Sequence, residues 1–339
     1  MNTEMSVPRF VGEGRVRFET RPIAQPGPGE LLIRVHANAL CGSDRNQWLK
    51  GSQITPGHEA TGVVAAAGSG TKTAVGTPGA IFLMDFCGDC RSCRLGLTNQ
   101  CLAKRADMGF THDGGYSVYE LIHENIFFPI DRSLSPTDAT LLLDIMGTGG
   151  HSINRARRVH PDIQSVTVLG AGPIGLGVLA MAKLILGKDV PVAISDIIDF
   201  RLKLAEDLGG IPAPVHERPL KECLSRAGLS GTDVVIDTSG QTLVRQAGFD
   251  ALNQRGVFVC VGHGGMISLD VSPQLIAMER TVLGSEYFCF NELAENQRLL
   301  LNNLTYLRKI ITHRFPLGEV QQAYELFFNS KTGKVVIEQ

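Results

Sequence analysis

Hydrophobic residues follow two different patterns along this chain. In the second half, short apolar runs recur and each stops at small or polar residues. Residues 165–169 stop at Gly170, 190–194 at Ser195 and Asp196, 233–237 at Thr238-Ser239-Gly240, and 256–261 at Gly262-His263-Gly264-Gly265. After the first run, Ile174, Leu176, Val178, Leu179, Met181 and Ala182 supply the apolar surface of a helix. Repeated strand–helix alternation predicts a parallel sheet covered by helices, with ligand at the carboxyl ends of the strands. The first 150 residues read differently: Gly27-Pro28-Gly29-Glu30 is a turn before a strand over 31–37. At 339 residues the chain is long for one core, so two domains are expected.

The first strand–helix junction reads Gly170-Ala171-Gly172-Pro173-Ile174-Gly175, a G-x-G-x-x-G motif. Gly170 permits the tight turn, Gly172 lets backbone approach a pyrophosphate, and Gly175 lets the helix sit close to the strand. Free N–H groups at the helix start then face the phosphates. Asp196 lies 26 residues after Gly170, where a carboxylate accepts hydrogen bonds from ribose hydroxyls and repels a 2′-phosphate. That favours NAD over NADP. Arg201 keeps NADP open, but it falls on the following helix rather than beside Asp196. An ordinary helix cap is the plain alternative for Asp196. Thr238, Ser239, Gly262 and His263, at other strand ends, are further cofactor-side candidates.

Composition narrows the class. Hydrophobic residues make up 43%, charged residues 19%, and the formal net charge is −2. No field of either sign is available to hold nucleic acid or an anionic membrane. Arg155, Arg157 and Arg158 are the densest basic cluster and read as a solvated helix turn. Residues 1–11 lack an apolar signal core, and the longest apolar stretches, such as 178–186, fall short of the roughly 20 residues a membrane span needs. A cytoplasmic protein is expected, in which eight cysteines need an explanation.

Cys87, Cys90, Cys93 and Cys101 read C-x2-C-x2-C-x7-C. Four thiolates so spaced can enclose a tetrahedral Zn²⁺ with no open position, a structural site that orders a loop of few apolar residues. An iron–sulfur cluster shares part of this spacing, although Leu102 stands where a proline often follows, and a disulfide pair is the other alternative. Cys223 and Cys260 read as plain thiols.

Nearer the start come Cys41-Gly42-Ser43-Asp44 and Pro56-Gly57-His58-Glu59, which hold thiolate, imidazole and carboxylate groups of zinc-ligand type. With the Pro-Gly-Glu turn, the cysteine lobe, Asp113-Gly114-Gly115, the glycine motif and the closing Gly333-Lys334-Val335-Val336, these motifs run over nearly the whole chain. The chain resembles the zinc-containing medium-chain dehydrogenase/reductase superfamily, most closely its sorbitol and threonine dehydrogenase branch. The resemblance implies an α/β protein with a GroES-like β-barrel catalytic domain split between the chain ends (1–149 and 290–339), carrying a zinc lobe at about 86–102. A Rossmann NAD-binding domain over 150–289 is inserted between them. It implies two zinc ions per chain. The catalytic ion takes Cys41, His58 and Asp144, the last from Leu143-Asp144-Ile145-Met146-Gly147, with Glu59 as a nearby carboxylate able to approach. Ser43 matches the hydroxyl that relays the substrate proton, and Lys334 falls on the cofactor side. Hydride transfer between a secondary alcohol and NAD follows, in a homo-oligomer, with a tetramer favoured over a dimer.

Two departures stand out. Relatives often place His five residues after the zinc Cys, where this chain has Asn46, which cannot titrate. The segment 51–55 is short where relatives carry a longer loop bordering the substrate cleft. Trp48, the only Trp, is a candidate for that cleft or for the core, while His36 and His112 read as structural or exposed. Polyols, sugar-derived alcohols and amino alcohols all suit the branch. A zinc-dependent reductase of an activated carbonyl and a non-catalytic NAD-binding protein are the alternatives.

Overall fold

The computed structural model describes residues 3–339. Its six-stranded sheet is parallel throughout, in the spatial order Ile211–Pro214, Val192–Asp196, Val166–Leu169, Thr232–Asp237, Leu252–Cys260, Thr281–Gly284. The central strand Val166–Leu169 is buried at every residue, as a strand covered on both faces requires. Chain order reverses beside it, so a crevice opens at its carboxyl end, next to the end of Thr232–Asp237. The helix Pro173–Ile185 starts there. A Cβ on Gly175 would lie 1.8 Å from the Gly170 carbonyl oxygen, so only glycine permits this approach of helix to strand.

The remainder is mainly a second, seven-stranded sheet built from both chain ends. Its order is Ile311–Pro316, Lys334–Glu338, Glu30–Ala39, Ala60–Ala67, Pro78–Ile81, Phe127–Pro129, with Tyr119–His123 also on Glu30–Ala39. All pairs are antiparallel except the first. Val336 pairs with Ala39, which sets Lys334 beside the segment entering Cys41. The two halves share one large apolar core. Where they meet, the π-helical turn Asp144–Thr148 runs straight into the helix Gly149–Val159. This turn rests on Gly177, where a Cβ would lie 2.4 Å from the Ile145 carbonyl oxygen.

Trp48 belongs to the core. It stacks on Tyr324 at 5.1 Å and meets Phe10 edge-on at 5.4 Å, under the hairpin Glu4–Gly12/Arg15–Pro22. The segment 51–55 also lines no part of the active-site cleft. Ser52 donates its N–H to the Phe10 carbonyl at 2.8 Å, and the Thr55 N–H donates to Asp113 at 2.6 Å, which draws the segment onto the hairpin.

Candidate active site

Four donor groups converge where the two halves meet. Cys41 precedes the turn Gly42–Asp44, His58 and Glu59 lead into Ala60–Ala67, and Asp144 opens the π-helical turn. One ligand atom from each of Cys41, His58, Glu59 and Asp144 lies within 4.8 Å of the others. The His58 ring spans two carboxylates, with Nδ1 3.3 Å from Asp44 Oδ1 and Nε2 3.6 Å from Asp144 Oδ2.

The electrostatics show what this set lacks. Burial alone would lower the His58 pKa, but the Asp44 charge and hydrogen bonds to the Asp144 and Asp44 carboxylates hold it well above the usual range. Burial would raise Asp144, yet the His58 hydrogen bond and charge pull it below the usual carboxylate range. Burial and the Asp144 charge push Glu59 well up against the pull of Lys334, and the same two causes raise Cys41. Four acidic groups, Cys41, Asp44, Glu59 and Asp144, thus crowd around one imidazole and one amine. A divalent cation resolves that excess, and thiolate, imidazole and carboxylate are zinc donors, so the residues fit Zn²⁺. Cys41, His58 and Asp144 line a cleft of about 610 Å³ while Glu59 does not, so the three donors that face the cleft would hold an ion where a substrate can reach it.

A second layer holds these donors. Lys334, fully buried, donates Nζ to Glu59 Oε1, and the Glu59 N–H donates to Asn38 Oδ1 at 2.9 Å. The Tyr324 hydroxyl donates to Asp44 Oδ2 at 2.5 Å and lies 2.9 Å from the Tyr116 hydroxyl. Metal-bound histidines are oriented by such a partner on the other ring nitrogen, and Asp44 lies where it would serve His58 in that way. Sequence reasoning quoted Asp44 only as a motif letter and missed Tyr116 and Tyr324. Tyr324 lies on the helix Val320–Phe328, and only the packing of that helix into the cluster of Phe10, Trp48 and Tyr116 brings residues so distant in sequence together.

Ten of the twelve expected cofactor residues line one groove of about 530 Å³: Gly170, Gly172, Pro173, Ile174, Gly175, Asp196, Arg201, Thr238, Ser239 and Lys334. The other two, Gly262 and His263, line the adjoining cleft. Asp196 Oδ2 accepts from the Ala171 N–H at 2.8 Å, and Oδ1 accepts from Ile197 and Ile198 at 2.7 and 3.0 Å, so this carboxylate also anchors the glycine loop. Arg201, although one helix later, returns to the same groove, where burial lowers its pKa against the Asp196 charge. Arg245 was not expected. It donates Nε to Asp237 Oδ2 at 2.6 Å and reaches the Gly262 and Gly264 carbonyls, while Asp237 Oδ1 accepts from the Ser239 N–H and hydroxyl. One buried ion pair thus fixes both loops that border the cleft.

The cysteine lobe has another character. Its Sγ atoms lie 4.0 Å (Cys87–Cys93), 3.5 Å (Cys90–Cys93) and 3.9 Å (Cys90–Cys101) apart. Zn–S bonds of about 2.3 Å give a tetrahedral edge of about 3.8 Å, and a disulfide needs about 2.05 Å, so the geometry fits one ion rather than a bridge. Backbone N–H groups of Cys87, Cys90 and Leu102 donate to Cys101, Cys87 and Cys90 sulfurs at 3.3, 3.3 and 3.4 Å. Backbone donors of this kind bring the Cys90 thiol down to about 6, whereas burial drives Cys93 up to about 12.

Comparison with known proteins follows these lines. Residues 27–132 match the alcohol dehydrogenase GroES-like domain and residues 173–302 the zinc-binding dehydrogenase domain. An L-threonine 3-dehydrogenase of Pyrococcus abyssi is 30% identical, covering 93% of this chain and 92% of its own. An Escherichia coli CFT073 alcohol dehydrogenase crystallised with NADH superposes with a TM-score of 0.90 at 24% identity, over 100% of both chains. A zinc-binding dehydrogenase of Sinorhizobium meliloti 1021 bound to NADP superposes with a TM-score of 0.86 at 25% identity, again over 100% of both.

Proposed function

We propose, from the premise that the chain belongs to the zinc-binding dehydrogenase family of the medium-chain dehydrogenase/reductase superfamily, that its Cys41–His58–Asp144 cluster is where a secondary alcohol is oxidised. Members of this family are zinc-dependent oxidoreductases that move a hydride between a secondary alcohol and a nicotinamide cofactor, and this chain is one. The observation that carries the site assignment is a shared wall: Cys41, Gly42, Ile174, Thr238 and Ser239 line both the nucleotide groove and the cleft. A nicotinamide in the groove and a substrate at the donors would meet there.

Cys41, His58 and Asp144 would hold the ion, which when bound supplies Lewis acidity that lowers a hydroxyl pKa, as it lowers that of water from about 15.7 to about 7. The chain does the rest. Ser43, exposed in the cleft, takes the substrate proton. Asn46, also in the cleft, cannot titrate, so the proton passes from Ser43 to water, another side chain or the ribose hydroxyl. Leu83 and Phe110 shed water from the cleft, and Asp44 and Tyr324 hold the His58 ring. The glycine loop orients the pyrophosphate, Asp196 the ribose, and Lys334 keeps Glu59 compensated.

The same reading places a second zinc in the cysteine lobe, prefers NAD to NADP through Asp196, and assigns a homotetramer working in the cytoplasm. Among the described residues, no helix is long and apolar enough to cross a membrane. The test is a screen for NAD reduction across polyols, sugar-derived alcohols and amino alcohols, run beside metal analysis. Two zinc ions per chain and turnover that Cys41→Ala abolishes are expected. One zinc per chain with Cys41→Ala fully active would refute the site.

A further inference from the structure

We infer that the alcohol taken by this cleft carries no carboxylate: its substrate end is built for a neutral or ammonium-bearing vicinal alcohol. The inference rests on the dehydrogenase reading above and concerns what the cleft accepts beside the reacting hydroxyl.

The side chains that face the cleft carry charge of one sign. Among the described residues, no lysine or arginine lines it. Lys334 is fully buried on Glu59 and opens only to the nucleotide groove. Arg155 lines a neighbouring groove rather than the cleft itself; the two share Val261, Gly262, His263, Ser285 and Glu286. With a divalent ion among the donors, the Cys41 thiolate and Asp144 carboxylate would leave no net charge there, Lys334 cancels Glu59, and Asp44 is buried behind the His58 ring. The uncompensated charge that lines the cleft is Glu286, whose side chain is 46% exposed at the wall and 3.7 Å from the His263 ring. A substrate carboxylate would enter opposite that charge with no guanidinium to receive it, and enclosing an unpaired anion is costly. An ammonium group would find Glu286.

Neutral polar groups do have a counterpart. Tyr287 lines the cleft, the residue is 8% exposed, and its buried hydroxyl has no hydrogen-bond partner among the described residues. A second substrate hydroxyl or amide would satisfy it. Tyr287 also sits at φ +46°, in the left-handed region that side chains rarely adopt. The surrounding structure enforces it: the ring packs between Phe82 and Phe288 at 5.2 and 4.2 Å, and Asn99 Nδ2 holds the Glu286 carbonyl at 2.6 Å. The segment 285–287 is therefore fixed in place and sets Glu286 and Tyr287 in the cleft wall. This differs from what the names of the threonine dehydrogenase relatives suggest, since threonine carries a carboxylate.

The test compares compounds that differ mainly in that one group, using the zinc-loaded enzyme and NAD: L-threonine against L-threoninamide, and 3-hydroxybutanoate against 3-amino-2-butanol and 2,3-butanediol. The amide, amino alcohol and diol are expected to exceed the matched carboxylates by about 100-fold or more in kcat/KM, equivalent to ~2.7 kcal/mol. The same order is expected in Kd, read by titrating the enzyme–NADH complex with threoninamide and threonine and following cofactor fluorescence. Glu286→Lys should narrow the gap at least tenfold by improving the carboxylates. Threonine equal to or better than threoninamide overturns this inference and leaves the dehydrogenase reading standing. No oxidation of any of the five, and no reduction of their ketones with NADH, overturns both.

Discussion

Two sets of four metal-type donors lie in this chain, and they are built on opposite plans. In the cysteine lobe all four donors come from residues 87–101 and are partly exposed, and backbone N–H groups donate to the sulfurs of Cys87, Cys90 and Cys101. In the cleft the ligands come from residues 41, 58, 59 and 144, three of the four are buried, and charge is balanced by distant side chains such as Lys334. The first plan makes a closed, self-sufficient knot. The second makes a site whose donors remain dependent on the whole fold, with one face open to the cleft. A structural ion needs only local donors; a reactive one needs an environment that keeps acids buried, oriented and only just compensated.

If that contrast holds, removing one donor from each set should have unlike effects. Cys41→Ala should lower kcat/KM at least about 10³-fold, which is ~4 kcal/mol of lost transition-state stabilisation. Thermal stability should stay close to that of the parent, because the change removes a buried acid from a crowded cluster. A melting curve beside the NAD-reduction assay checks both parts. Loss of folding together with activity would make the cleft cluster structural and break the comparison.

Cys93→Ser should do the reverse in kind. Metal content should fall by one ion per chain, and the midpoint of unfolding should drop by several degrees, since the lobe has little apolar surface of its own. Activity should fall by a smaller factor, about tenfold to thirtyfold, because the lobe reaches the cleft wall indirectly, through bonds of Asn99 and Thr98 to the segment 286–290. Zinc analysis and differential scanning calorimetry separate these outcomes.

The same contrast explains how far the sequence could be read. The lobe was legible from spacing alone, because its ligands are neighbours in the chain. The parallel sheet was legible too, since each apolar run ends at a glycine or polar turn, and the structure starts or stops those strands within a few residues of them. The cleft donors were found only by likeness to a family, because the pairing of strands at both chain ends and a π-helical turn bring them together. Their partners were less accessible still. Asp44 and Tyr324 are 280 positions apart, and nothing local to either marks the 2.5 Å bond between them. Arg245 was hidden in an ordinary amphipathic helix, and the opposing choices for Trp48 were decided by packing rather than by pattern.

Tyr324→Phe sharpens the comparison at the level of support rather than ligand. It removes one hydrogen bond to Asp44 while keeping the ring stacked on Trp48. Hydrogen bonds to charged groups contribute roughly 1.5–3 kcal/mol, and partners of a ligating histidine typically change metal affinity by about 10–100-fold. Zinc should therefore leave the cleft site more readily in competition with a chelator, with the lobe ion unaffected and kcat reduced about tenfold at saturating zinc. An equal weakening of both ions would mean the change acts on the fold and not on His58.

The smallest expected effect lies where the two plans touch. Asn99, nearly buried, donates Nδ2 to the Glu286 carbonyl at 2.6 Å and accepts from the Cys289 thiol at 3.2 Å. Asn99→Ala leaves all eight metal donors in place, so zinc content should remain unchanged. Freed from the lobe, Glu286 should lose its fixed position at the cleft wall, and a neutral hydrogen bond of this kind is worth about 1 kcal/mol. An ammonium-bearing alcohol should then show KM raised about fivefold with kcat nearly constant, while a neutral diol, which does not use Glu286, changes less than twofold. Equal shifts for both substrates would show that the lobe supports the cleft as a whole, and the two centres would then be less independent than their ligands suggest.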